Sequence, residues 1–148
     1  MPASDRALAA IRRFLLALLA AGLVVTAVEL ALLDHDEDVR QFVPLVLIAA
    51  AMGVVAWHAV RPSGASLRAL QAIMALFVVA AGAGLYFHAE GSREFQLETD
   101  PTQHGWPLFM KVMRSKAPPA LAPAVMAELG AIGLAYAYAS ETHDRSGS

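Results

Sequence analysis

The sequence predicts an all-α membrane protein: a four-helix antiparallel transmembrane bundle with an external loop holding a short extended segment and an interfacial amphipathic helix. Three observations predict it. Four separate runs are apolar for about 20 residues, the length a helix needs to cross roughly 30 Å of hydrocarbon at about 1.5 Å per residue. The chain of 148 residues is 57% hydrophobic and 16% charged, with a mean hydropathy of +0.52, a composition outside ordinary soluble usage. The first three runs are joined by links so short that each must reverse the chain and lay its neighbours side by side.

Span 1 covers 14–33, "FLLALLAAGLVVTAVELALL". Arg12 and Arg13 precede it, as basic residues precede a secretory signal, but the run is too long for a signal and contains Glu29. A twin-arginine signal is excluded because "RRFLL" lacks the spacer residue after the arginine pair. The run is therefore a permanent span. Span 2 is 43–60, "VPLVLIAAAMGVVAWHAV", and span 3 is 69–88, "ALQAIMALFVVAAGAGLYFH". Span 4 is 119–139, "PALAPAVMAELGAIGLAYAYA", with Pro119 and Pro123 confined to its first turns, where a missing N–H costs nothing. Residues 1–140 thus read as one transmembrane domain, and 141–148, "ETHDRSGS" with His143, as a disordered polar tail.

Orientation follows the positive-inside rule. Arg6, Arg12, Arg13, Arg61, Arg68 and Arg145 lie on the side of the N-terminus, against Arg40, Arg93, Lys111, Arg114 and Lys116 on the other. The arginines tight against span 1 break this near tie, placing both termini in the cytoplasm and the chain in the cell membrane as a multi-pass protein. In the external link 89–118, "REFQLETD" alternates Phe95, Leu97 and Thr99 with Glu94, Gln96 and Glu98, the period of an extended segment with an acidic face. Next, "WPLFMKVMRSK" puts Trp106, Phe109, Met110 and Met113 at helical spacing, followed by basic residues. That pattern predicts a helix lying on the membrane surface with Trp106 at the headgroup level.

Two ionisable groups fall well inside apolar spans, Glu29 and Glu128. Each is flanked by small residues: Gly22 and Thr26 for the first, and Ala124, Ala131 and Ala135 for the second. Such stripes let backbones approach, so both acids are expected to face the bundle interior, buried, and to relay protons. The second candidate is "DHDED", residues 34–38. His35, Asp36 and Asp38, with His88 and Glu90 from the end of span 3, form the expected metal set, and Gly84 leaves room one turn below His88. Glu94 and Glu98 extend its acidic face. The chain has no cysteine, which removes thiolate ligands, disulfides and cysteine nucleophiles. Imidazole and carboxylate ligands suit zinc, manganese or iron better than copper(I). His58 and His88 lie at opposite ends of their spans and cannot share a haem; His58 reads as an interfacial anchor beside Trp57, and His104 as a loop residue.

A net charge of -2 without a basic, aromatic-laced patch argues against nucleic acid as a partner. No nucleophile elbow, phosphate loop, dinucleotide fingerprint or lipidation motif appears. Three function classes remain. The first is a small membrane protein that binds a divalent cation or relays protons at its external face; the second is a non-catalytic assembly subunit of a homo-oligomer or larger membrane complex. A metal-dependent membrane enzyme is the third, and the one the residues support least.

Overall fold

The computed structural model describes residues 3–32, 42–115 and 121–146, and within the last helix the side chains of 123–141. The described residues form five helices: α1 (Ala3–Leu32), α2 (Phe42–Val60), α3 (Gly64–Thr99), α4 (Gly105–Met113) and α5 (Leu121–Ser146). Among them there is no strand. Of these helices, α1, α2 and α3 are long and apolar enough to cross a membrane. The fourth expected span lies in α5, which is helical but diluted by Glu128, Tyr136, Tyr138, Ser140 and Glu141.

Two expectations in the loops change. "REFQLETD" continues α3 instead of forming an extended segment. A six-residue alternation is too short to distinguish period 2 from period 3.6, and the helical contacts prevail: Arg93 bridges Glu90 at 2.8 Å one turn back, and Thr99 Oγ1 donates to the Phe95 carbonyl. At the other end, α5 runs on through Ser146, across most of the segment expected to be a disordered tail.

The chain divides into two compact units, Met1–Phe77 with Leu129–Ser148, and Val78–Glu128. In the first, α1 packs against α2. Leu19, Leu23, Thr26 and Leu30 form the buried face of α1, and Ile48, Ala51, Val55 and His58 that of α2. Leu70, Met74 and Phe77 come from α3, and Leu129, Tyr136 and Ala137 from α5. Spacings of three and four put each set on one stripe of its helix. Gly133 marks the closest approach, because a Cβ there would overlap Met74 of α3 and come within 3.3 Å of Leu19 of α1. Gly22 faces Leu129 in the same way. Small residues at helix contacts are the usual means by which spans pack in lipid, where water no longer drives apolar groups together. Outside the core, Val24, Val25, Val28, Val46 and Val79 are exposed, a surface suited to acyl chains.

In the second unit, α4 folds back along the end of α3 and buries Leu108 and Val112. At 36 residues, α3 is about 54 Å long, against roughly 30 Å of hydrocarbon. Its polar end therefore extends past the apolar stretch. Gly105, at φ 62, makes the left-handed step into α4. Gly84 accommodates Pro123 of α5, 3.4 Å from the position of an added Cβ, so the space it leaves admits a helix start.

Candidate functional site

The most developed polar site among the described residues is one the sequence reading passed over. Arg61, Pro62 and Ser63 turn the chain from α2 into α3. Ser63 caps α3: its Oγ accepts from the Ser66 N–H at 3.1 Å, while Ser66 Oγ accepts from the Ser63 N–H at 3.0 Å. This is a reciprocal capping box with serine in the place usually held by Glu or Gln. Onto it docks His58, whose Nδ1 lies 2.8 Å from Ser66 Oγ and whose Nε2 lies 2.9 Å from the Tyr136 hydroxyl. The Tyr136 ring meets the imidazole edge-on at 5.6 Å.

Ser66 Oγ also lies 3.0 Å from the Ser63 carbonyl and 3.2 Å from the Arg61 carbonyl, both acceptors only. It also accepts from the Ser63 hydroxyl at 3.1 Å, and the imidazole, with one nitrogen donating and the other accepting, bonds Ser66 on one side and Tyr136 on the other. Every polar atom of the triad has a partner. Ser66 is 0% exposed, and its hydroxyl is committed, so a serine and a histidine at bonding distance do not make a nucleophile here. The site joins α2, α3 and α5. His58 is therefore buried among helices, and Trp57 alone faces outward; successive helical residues are about 100° apart and cannot share one environment. Gln71 Nε2 donating to Glu141 Oε1 at 2.6 Å ties α3 to α5 again. Thr26 and Ser140 satisfy their buried hydroxyls on carbonyls one turn back.

Glu29 and Glu128 are both exposed, where burial inside the bundle was expected. On α1 the buried stripe ends in Thr26 and Leu30, and Glu29 stands about 90° from its centre. On α5 the buried positions are Pro123, Met126, Leu129, Gly130, Gly133, Tyr136, Ala137 and Ser140, which leaves Glu128 about 150° from their centre. Glu128 instead heads an outward stripe with Ala124, Ala131, Ala135 and Tyr138. The small residues beside the acid do mark one face, but the core of this chain uses the opposite one.

Of the expected metal set, His35, Asp36 and Asp38 lie outside the described residues. His88 is exposed, and Glu90 is held by Arg93. Glu94 and Glu98 are exposed on α3. Among the described residues no three His, Asp or Glu side chains come together as a metal site. His104 is exposed, its Nδ1 donating to the Thr102 carbonyl at 2.8 Å. Beside it, Asp100 Oδ1 accepts from the Thr102 hydroxyl at 2.7 Å and the Thr102 N–H at 3.1 Å. These bonds, the hydroxyl's first, hold the Asp100 carboxyl below its ordinary pKa.

The chain matches no protein-family model, and neither curated proteins nor solved structures show significant similarity to it.

Proposed function

We propose that the chain is a non-catalytic assembly subunit of a membrane complex, crossing the bilayer four times, with the Glu128 face of α5 as its contact surface. The observation that carries this reading is the exposure of Glu128 together with Ala124, Ala131 and Ala135 on a helix whose opposite face is packed. A carboxylate at the centre of a span costs about 3 kcal/mol on insertion scales, and small residues against lipid forgo the contact that larger ones would make. A neighbouring helix removes both disadvantages by close packing and by offering a hydrogen-bonding or basic group. Glu29 does not require this. It lies in the last described turn of α1, near enough to the membrane edge to extend toward the headgroups.

The fourth crossing rests on where α5 packs: Gly133 meets Met74, and Gln71 meets Glu141, along the apolar part of α3. With the N-terminus cytoplasmic, four crossings return the C-terminus to the same side. The test of the assembly reading is the native mass of the chain extracted from its own membranes in mild detergent. A stoichiometric complex that Ala131→Trp dissolves supports it, and a monomer of unaltered mass overturns it.

A second reading retains the external residues as a cation-attracting mouth. His35, Asp36 and Asp38, with His88 and Glu90, would bind zinc, manganese or iron, or pass protons toward Glu29. Its support is the ligand chemistry of 34–38 and the exposure of His88. Elemental analysis of purified protein tests it: stoichiometric metal lost in both His35→Ala and His88→Ala supports it, and metal-free protein counts against it.

A further inference from the structure

Between the polar end of α3 and α4 runs an open groove of about 440 Å³. Its walls are apolar, from Tyr86 and Leu97 on α3 and from Leu108, Phe109 and Val112 on α4. Four polar residues line it as well: Glu90, Arg93, Gln103 and His104. The Tyr86 end adjoins the apolar stretch of α3, and the Gln103 end lies at the turn into α4. One mouth therefore opens at the edge of the bilayer.

The unmet hydrogen-bonding capacity at the turn end is of one kind. Gln103 Oε1 is buried and has no partner. The side-chain bond between Gln103 and Asp100 fixes the amide, since only the NH₂ group can donate to a carboxylate. His104 donates through Nδ1 to a carbonyl, so its Nε2 is an acceptor in the neutral ring. Both groups call for a donor, and a buried acceptor left unpaired costs about 1–3 kcal/mol. On α3, on the membrane side of that turn, Arg93 spends one N–H on Glu90 at 2.8 Å and keeps further donors for an anion.

We propose that this groove holds a phospholipid with a primary-amine headgroup, drawn from the surrounding bilayer. The ammonium donates to Gln103 Oε1 and His104 Nε2, the phosphate rests on Arg93, and the upper part of an acyl chain lies along Tyr86 and Val112. A choline headgroup has the same charge but no N–H and leaves the acceptor unmet. A glycerol headgroup has O–H donors but no ammonium, so the phosphate charge stays uncompensated beside Glu90. The proposal is independent of the assembly reading, because every residue it uses lies on α3, α4 and the turn between them.

The test is lipid retention by the delipidated full chain in detergent, exposed to equimolar phosphatidylethanolamine, phosphatidylcholine and phosphatidylglycerol with identical acyl chains and read by native mass spectrometry. The expected result is about fivefold to tenfold more bound ethanolamine lipid than choline lipid, the value of one hydrogen bond to a buried acceptor. Gln103→Leu brings that ratio to about one. Equal retention of ethanolamine and choline lipids overturns the proposal, as does preferential retention of the glycerol lipid. A preference that survives Gln103→Leu overturns it too.

Discussion

Replacing Gly133 by alanine adds one methyl group where α1, α3 and α5 converge. The new Cβ overlaps the Cγ and Sδ of Met74 and lies 3.3 Å from Leu19 Cδ2, so relief needs Met74 to change rotamer in a packed core. Overpacking of this kind costs about 1–3 kcal/mol, and alanine returns about 0.5–1 kcal/mol of helix propensity. The net is a destabilisation of roughly 0.5–2 kcal/mol, a factor of about 2 to 30 in the ratio of folded to unfolded protein. Reversible unfolding in mixed micelles measures it, and the Met74→Ala background isolates the contact. With Met74 shortened, Gly133→Ala becomes neutral or favourable, giving a coupling of at least about 1 kcal/mol in the double-mutant cycle. Gly53→Ala, with nothing within 4 Å of its Cβ, is the neutral control. If Gly133→Ala is as stable as the parent, or its cost is unchanged in the Met74→Ala background, the three helices do not meet as described. Gly22→Ala is graded between these, because the atom it meets is the far end of the Leu129 side chain at 2.5 Å, which can swing away.

Tyr136→Phe removes the hydroxyl that bonds His58 Nε2 and destabilises by about 1–3 kcal/mol in the same unfolding assay, because the imidazole nitrogen stays buried without a partner; an unchanged midpoint would mean the contact is dispensable. Gly105→Ala forces a Cβ into the left-handed region at φ 62 and costs about 1–2 kcal/mol, read as faster amide exchange in α4. Asp100, with its folded pKa below the ordinary carboxylate value, stabilises the turn above the unfolded pKa; that support is lost as the pH falls through the depressed folded value. Thr102→Val, which removes the hydroxyl bond and keeps the backbone N–H bond, reduces that acid-dependent loosening, followed by amide exchange at Gln103. Cysteines at Glu98 and Ser148 report topology: labelling of intact cells at 98 but not at 148 fits four crossings, and labelling at both leaves α5 outside the count.

Long apolar runs were readable as helices because length and hydropathy decide insertion before any contact is made. Which way each helix turns its faces was less readable. The stripe through Gly22 and Thr26 was correctly assigned to helix packing, yet Glu29 sits a quarter-turn away and leaves the core. Stripes of small residues mark a contact without saying whether the chain itself supplies the partner, and on α5 the buried face is the mixed one carrying Leu129, Gly133 and Tyr136. His58 reads as an anchor only while Trp57 is taken as its companion; the usable signal is Ser63 three residues before Ser66, a helix cap that brings a buried hydroxyl within bonding reach of the imidazole. The extended reading of 93–100 failed because the window was shorter than two helical turns, and only Glu90 with Arg93 reveals the continuing helix.

The account depends most on the outward stripe of α5 being covered in the membrane. A photo-crosslinking residue at Ala131, on that stripe, and a second at Leu129, in the core, test it in native membranes. Adducts between the chain and another polypeptide from position 131, with none from 129, are the result expected. Lipid adducts alone from position 131 would contradict it.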